Sequence, residues 1–167
     1  MSAPPSAEFD PSRLLRALVD GGVDFVVIGG IAAILHGSAR NTFDLDICFA
    51  SDAENLDALG TVLVGLQARL RGVAEPVPFV PDAAALRRAE VCTLATAAGD
   101  LDVLRSPSGA PRYDVLRAHA DRYAVGGFEV GVASVEDLIA MKTAAGRAKD
   151  LGDIEELEAI LRLRSDG

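Results

Sequence analysis

Residues 26–49 read Val-Val-Ile-Gly-Gly-Ile-Ala-Ala-Ile-Leu-His-Gly-Ser-Ala-Arg-Asn-Thr-Phe-Asp-Leu-Asp-Ile-Cys-Phe. The stretch divides into an apolar β-branched run, a glycine pair, a short apolar helix, a polar connection and an alternating strand. Asp24 to Ile28 reads as a buried strand. Gly29-Gly30 follows at once, and Ile31 to Leu35 is expected to form a helix that ends at His36-Gly37. Phe43 to Phe49 alternates strictly, which predicts a second strand. Residues two apart on a strand share a face, so Asp44 and Asp46 point together while Phe43, Leu45, Ile47 and Phe49 point the other way, onto helices. Asp is a poor strand former, and two in one strand cost stability without a packing gain. Paired carboxylates repel and raise each other's pKa unless a cation lies between them. Mg²⁺ suits such a pair, because it is held by one or two carboxylates together with substrate phosphates. A glycine pair lets a polyanion approach the backbone, and the amides that open the next helix favour phosphate.

Outward from this segment, Asp10-Pro11 predicts a helix start, with a stripe through Leu14, Leu15 and Leu18 that stops at Gly21-Gly22. Ala53 to Leu70 has helical spacing through Leu56, Leu59, Leu63, Leu66 and Leu70. Residues 72–81, with Pro76, Pro78 and Pro81, read as a loop or edge strand, and Asp82 caps a short helix over Ala83–Arg88. Val91–Ala97 and Leu101–Leu104 read as strands joined at Gly99, and the second adds Asp102 with the same parity as the paired acids. Asp100 shares that parity at the strand's edge. Arg105–Gly109 reads as a loop and Pro111–Ala120 as a weak helix. A hairpin follows around Gly126-Gly127, then a helix capped by Ser134 that Gly146 can break, then a last helix through Leu151, Ile154, Leu157 and Leu161. The fold class expected is α/β (α+β), a mixed sheet with helices mainly on one face. Residues 1–167 are expected to form one domain, with 1–9 a loose arm and 134–163 a C-terminal helical part.

Half of the 167 residues are hydrophobic and 25% are charged, so the chain can build a core. No apolar run reaches the length of a membrane span, and the opening residues predict no secretory signal. Two cysteines, Cys48 and Cys92, each in an apolar stretch, fit a reducing compartment, and the cytoplasm is the expected location. With His36 and His119 the only histidines, cysteine- or histidine-rich zinc sites are excluded. The balance of 16 Lys+Arg against 25 Asp+Glu gives a net charge of −9, which argues against a broad nucleic-acid footprint. Arg69/Arg71 and Arg87/Arg88 are the local basic patches on which an RNA could still dock.

Gly29-Gly30, Asp44-Leu45-Asp46 and the later Asp102 together resemble the nucleotidyltransferase superfamily that shares the DNA polymerase β catalytic fold. The finer string of Gly29, Gly30, Ala32, His36, Gly37, Arg40, Thr42, Asp44 and Asp46 resembles its small prokaryotic branch, which includes abortive-infection toxins. The resemblance is specific over residues 26–49, and extends to Lys142, Arg147 and Asp150, which are similar to that branch's Lys/Arg-rich helix. Many members carry Ser as the second residue of the glycine pair; Gly30 stands there instead, so phosphate contact would rest on backbone amides.

The resemblance implies a metal-dependent transfer of an NMP from NTP to a hydroxyl, with pyrophosphate leaving. Asp44, Asp46 and Asp102 are the implied catalytic and metal-binding residues, with Mg²⁺ or Mn²⁺ as the ion, and Asp102 takes the second metal or the acceptor's proton. Gly29, Gly30, Arg40, Thr42 and Lys142 are the implied nucleotide-binding residues, Arg40 as a bidentate phosphate partner. The acceptor is left open among an RNA end, a protein and a small molecule. A toxin–antitoxin role with an antitoxin partner, or a catalytically inactive binding protein of the same fold, are the biological alternatives. A haloacid-type phosphatase is disfavoured because Gly-Gly precedes the acids, and a sugar-nucleotide transferase because it needs a longer preceding domain. The phosphate loop and the dinucleotide fingerprint are absent. His36 is expected to order its helix end, Cys48 to act as a small buried hydrophobe, and Lys149, Asp150 and Asp153 to form a solvated face.

Overall fold

The computed structural model describes residues 7–72 and 80–166. The loop reading of 72–81, and its Pro76 and Pro78, therefore lie largely outside the described residues, as does most of the N-terminal arm. Phe9, assigned to that arm, packs on the core, and Asp10 N–H donates to the Ala98 carbonyl at 2.9 Å.

Helix α1 (Pro11–Asp20) opens as its sequence implies, with Asp10 accepting from Arg13 N–H and Pro11 at the first helical position. Strand β1 (Phe25–Ile28) runs directly into α2 (Gly29–Leu35), so the glycine pair begins the helix instead of preceding it. Strand β2 (Asp44–Phe49) starts one residue later than expected, and Phe43 lies 78% exposed instead of packing under a helix. Helix α3 (Ala53–Gly65) stops well short of Leu70. Gln67 takes a left-handed φ of 56°, and the chain turns into a short strand, β3 (Arg69–Leu70). The leucine spacing ran on into an element of another kind.

Helix α4 (Ala83–Arg88) carries the predicted Asp82 cap. Strands β4 (Val91–Thr96) and β5 (Gly99–Leu104) form the predicted hairpin. After α5 (Tyr113–His119), β6 (Asp121–Val125) and β7 (Phe128–Val132) pair around Gly126-Gly127, both at positive φ as a tight hairpin turn requires. Helix α6 (Val135–Ala145) is capped by Ser134 and ends at Gly146 in the left-handed conformation. Helix α7 (Asp150–Ser165) follows as a separate helix, so residues 134–160 are not one continuous rod.

The seven strands of the described residues join one mixed sheet in the order β3-β4-β5-β2-β1-β7-β6. The central strand β2 is antiparallel to β1 and parallel to β5. Pairing register carries side-chain parity across the sheet. Leu45 lies beside Leu101, and Ile47 beside Val27 and Val103. These residues, with Phe49, share one buried core with Leu14, Leu15 and Leu18 of α1 and Leu56, Leu59 and Leu63 of α3. Each such side chain, fully buried, contributes roughly 1.5–3 kcal/mol. Among the described residues no helix is long and apolar enough to cross a membrane.

Candidate active site

The parity that buries Leu45 and Ile47 turns Asp44 and Asp46 to the other face. The parallel pairing of β2 with β5 sets Asp44 beside Asp100 and Asp46 beside Asp102. One carboxylate oxygen from each of Asp44, Asp46 and Asp102 lies within 4.8 Å of the others. The three acids inferred from spacing and resemblance thus converge on one spot, across strands more than fifty residues apart in the chain.

The cluster is electrostatically unsatisfied. The Asp46 carboxyl is pushed up to about 8, first by burial and then by the charges of Asp44 and Asp102. Asp102 is also raised by burial, against the lowering effect of the Arg71 guanidinium. Oδ1 of Asp100 is buried without a hydrogen-bond partner among the described residues. Acidic oxygens in this number, this close together, are the donor set of a hard divalent cation, so the residues present fit Mg²⁺ or Mn²⁺.

Around the acids the backbone leaves no spare volume. Gly29 sits at φ +69°, and a Cβ there would run into the Asp46 carboxylate. A Cβ on Gly30 would lie 2.7 Å from Thr42 Oγ1. That same hydroxyl donates to Asp44 Oδ1 at 3.2 Å, so Thr42 links the glycine turn to the first acid.

A cleft of about 160 Å³ opens beside the glycines, and Gly29, Gly30, Arg40, Thr42 and Lys142 all line it. The structure thereby gathers the five residues expected to contact nucleotide around a single space next to the acids. Its two cations are already engaged. Arg40 pairs with Asp153, and Lys142 Nζ donates to Asp153 at 2.9 Å and to Asp150 at 3.3 Å.

This overturns the solvated-face reading of α7's first turn. Asp150 is 1% exposed and Asp153 is half-buried, because the break at Gly146 folds α7 back against α6 and brings both acids to Lys142. Arg147 beside Asp150, donating at 2.7 Å, holds that carboxyl down to about 2. The spacing of Lys149 and Asp153 also suits an i,i+4 pair, but Lys142 is the lysine that meets Asp153.

His36 does more than end its helix. Nε2 donates to the Ala133 carbonyl at 2.7 Å, which leaves the one lone pair of Nδ1 between two donors, Tyr123 Oη at 2.9 Å and Arg164 at 2.8 Å, and Arg164 also donates to Tyr123 Oη. The ring therefore ties α2 to the end of β7 and to α7. Cys48 is buried as expected, and burial pushes its thiol up to about 12, which keeps it unreactive.

Two groups were missed by sequence reading. Arg71, expected at most in a docking patch, donates to Asp102 Oδ1 at 2.8 Å. Glu156 accepts from Ser38 Oγ at 2.5 Å and holds the loop that carries Arg40. No local pattern signalled Arg71: it follows β3 directly and lies one residue past the helical spacing that ended at Leu70.

No family model matches the chain, and no curated protein matches it. Solved structures do. A lincosamide antibiotic adenylyltransferase, LnuA, solved with lincomycin bound, superposes at TM-score 0.62 with 16% identity, covering 92% of this chain and 99% of the other. An antigenic nucleotidyltransferase-like protein from Paracoccidioides brasiliensis matches at TM-score 0.57 with 22% identity, over 91% and 73%. ANT(2")-Ia, in complex with adenylyl-2"-tobramycin, matches at TM-score 0.53 with 16% identity, over 92% and 91%. At these identities the likeness is one of architecture, and on that ground the chain has the nucleotidyltransferase fold.

Proposed function

We propose that the chain is a metal-dependent nucleotidyltransferase that moves an NMP from NTP to a hydroxyl acceptor. The observation that carries this reading is the convergence of Asp44, Asp46 and Asp102 within 4.8 Å on a sheet of nucleotidyltransferase fold. Asp44 and Asp46, with Asp102 beside them, would hold Mg²⁺ or Mn²⁺. When bound, the ion neutralises charge on the triphosphate and the leaving pyrophosphate. Gly29 and Gly30 let the phosphates approach the backbone, and Arg40, Thr42 and Lys142 line the cleft into which they would extend. The acceptor hydroxyl attacks the α-phosphorus, the bond to the pyrophosphate oxygen breaks, and the hydroxyl proton passes to the Asp102 carboxylate. Rate enhancement in this scheme comes mainly from positioning and charge neutralisation.

A small-molecule hydroxyl is the acceptor favoured here. The net charge of −9 opposes nucleic acid, and two of the fold neighbours are an antibiotic adenylyltransferase and a protein solved with an adenylylated antibiotic. The test is incubation with each α-labelled NTP and Mg²⁺, separately with lincosamides, aminoglycosides, total RNA and cell lysate. Label in a small-molecule fraction, lost with EDTA and in Asp46→Asn, supports the reading. Label in RNA or protein would instead support a toxin acting with an antitoxin partner. No transfer under any condition would leave a nucleotide-binding or partner protein of the same fold.

A further inference from the structure

Four carboxylates crowd one face of the sheet: Asp44 and Asp46 on β2, Asp100 and Asp102 on β5. Among the described residues, Arg71 is the one cation paired with any of them, at 2.8 Å from Asp102 Oδ1 and 3.6 Å from Asp100 Oδ2. Its position follows from register. Arg71 N–H bonds to the Thr93 carbonyl, Thr93 pairs with Asp102, and Asp102 pairs with Asp46. Arg71 thus stands in the same cross-sheet row as two of the acids, two strands from the nearer one. A second bond, from Arg71 Nη1 to the Leu94 carbonyl at 3.1 Å, fixes the guanidinium's plane. A planar fork anchored this way can hold a carboxylate in one orientation, which a lysine ammonium cannot do.

We propose that Arg71 is a resident counter-cation of the acidic site, which aims Asp102 by one oxygen and restrains the affinity of the site for a divalent ion. Arg71 acts through Asp102 and is a positioning residue. With one oxygen committed to Arg71, Asp102 has the other to offer to an ion or to a proton. A fixed positive charge beside the acids also opposes loading of a second one, so the bare site binds a divalent ion weakly. A ligand that brings its own negative charge, such as a triphosphate, offsets that opposition. Metal and polyphosphate would then bind together more readily than either alone.

The inference rests on the metal-binding half of the proposed function, and its test does not need transfer activity. Arg71→Gln removes the charge and keeps a hydrogen-bond donor on a shorter side chain; Arg71→Lys keeps the charge and loses the fork. Mg²⁺ is titrated calorimetrically into each variant and the parent at the same pH, without nucleotide. Arg71→Gln is expected to bind Mg²⁺ about tenfold tighter, the size of one charge acting on a divalent ion across several ångströms of water. Arg71→Lys is expected to match the parent. If Arg71 only tethers the β3 edge, both variants lose thermal stability in EDTA and neither binds Mg²⁺ more tightly, which overturns the proposal. Absence of Mg²⁺ binding in all three proteins overturns it as well. Under the labelled-NTP assay both variants should lose kcat more than KM, with Arg71→Lys recovering part. A tighter Mg²⁺ complex in Arg71→Gln, with no transfer by any variant, sinks the transferase reading and leaves this one standing.

Discussion

Gly29→Ala separates backbone strain from damage to the acid cluster, because the chain contains its own control. Gly22 has nearly the same backbone angle, φ +72° against +69°, but a Cβ there meets nothing within 4 Å. Alanine in the left-handed region costs about 1–2 kcal/mol, partly offset by about 0.4–1 kcal/mol from a stiffer unfolded chain. Gly22→Ala should therefore lose about 1 kcal/mol, or roughly 2–4 °C in Tm for a chain of this size. Gly29→Ala carries the same strain and adds a collision with the Asp46 carboxylate, whose Cγ would stand at 2.9 Å and Cβ at 3.0 Å. Asp46 has little room to retreat, since its strand is paired on both sides. Forced repacking of this kind adds about 1–3 kcal/mol, which brings the total loss to roughly 2–4 kcal/mol. Urea unfolding in EDTA measures both losses, and Mg²⁺ titration measures the site. Gly22→Ala should bind Mg²⁺ as the parent does, and Gly29→Ala at least ~10-fold more weakly, the equivalent of ~1.4 kcal/mol. Equal stability losses in the two variants, with Mg²⁺ binding intact in both, would refute the close approach of Gly29 to Asp46.

Asp102→Asn should keep metal–NTP binding by calorimetry but lower turnover by ~10²-fold or more if the carboxylate takes the acceptor's proton. Full activity in that variant would move the assignment to Asp100, one strand step away with the same parity. Asp153→Asn frees Arg40 and removes one of the two acids held by Lys142, and should tighten binding of inorganic tripolyphosphate several-fold by ~1 kcal/mol; weaker binding would show that Asp153 organises those cations instead of restraining them. Asp150 has a folded carboxyl held below its ordinary 3.8, at about 2, so its contribution to stability is full above that ordinary value and is lost as pH falls toward 2. Acid unfolding of Asp150→Asn should therefore show a shallower loss of Tm between about pH 4 and pH 2 than the parent's.

Local chemistry was legible where a residue acts within a few positions of itself. The Asp10, Asp82 and Ser134 caps, the Gly126-Gly127 turn and the alternation of Leu45 and Ile47 with Asp44 and Asp46 all express short-range rules. The acid pair was readable for the same reason, as was the parity of Asp102, and the resemblance supplied the role of Asp102. What escaped depends on distant partners. The leucine spacing that ran to Leu70 satisfied a helix as far as Leu66, and only pairing of Leu70 with Leu94 explains the strand that follows. Arg71 reached the acids by the same pairing, which no local pattern announces. Asp150 looks like an exposed helix start until the turn at Gly146 delivers it to Arg147 and Lys142.

The parallel ladder between β2 and β5 matches Asp44 with Asp100, Leu45 with Leu101 and Asp46 with Asp102, so acid faces acid and leucine faces leucine. The tight β4–β5 hairpin feeds this ladder directly, with Thr96 paired to Gly99 across its turn. A single inserted or deleted residue inside β5 would swap the two faces downstream, burying Asp102 among leucines and presenting Val103 to the acids. Fold and chemistry would fail in the same step. A length change along this strand is therefore tolerated only where a bulge absorbs it, whereas loops on the sheet's outer edges are free of that constraint. A library of random single-codon insertions should accordingly show a gap over residues 99–102, where soluble protein and metal binding disappear together.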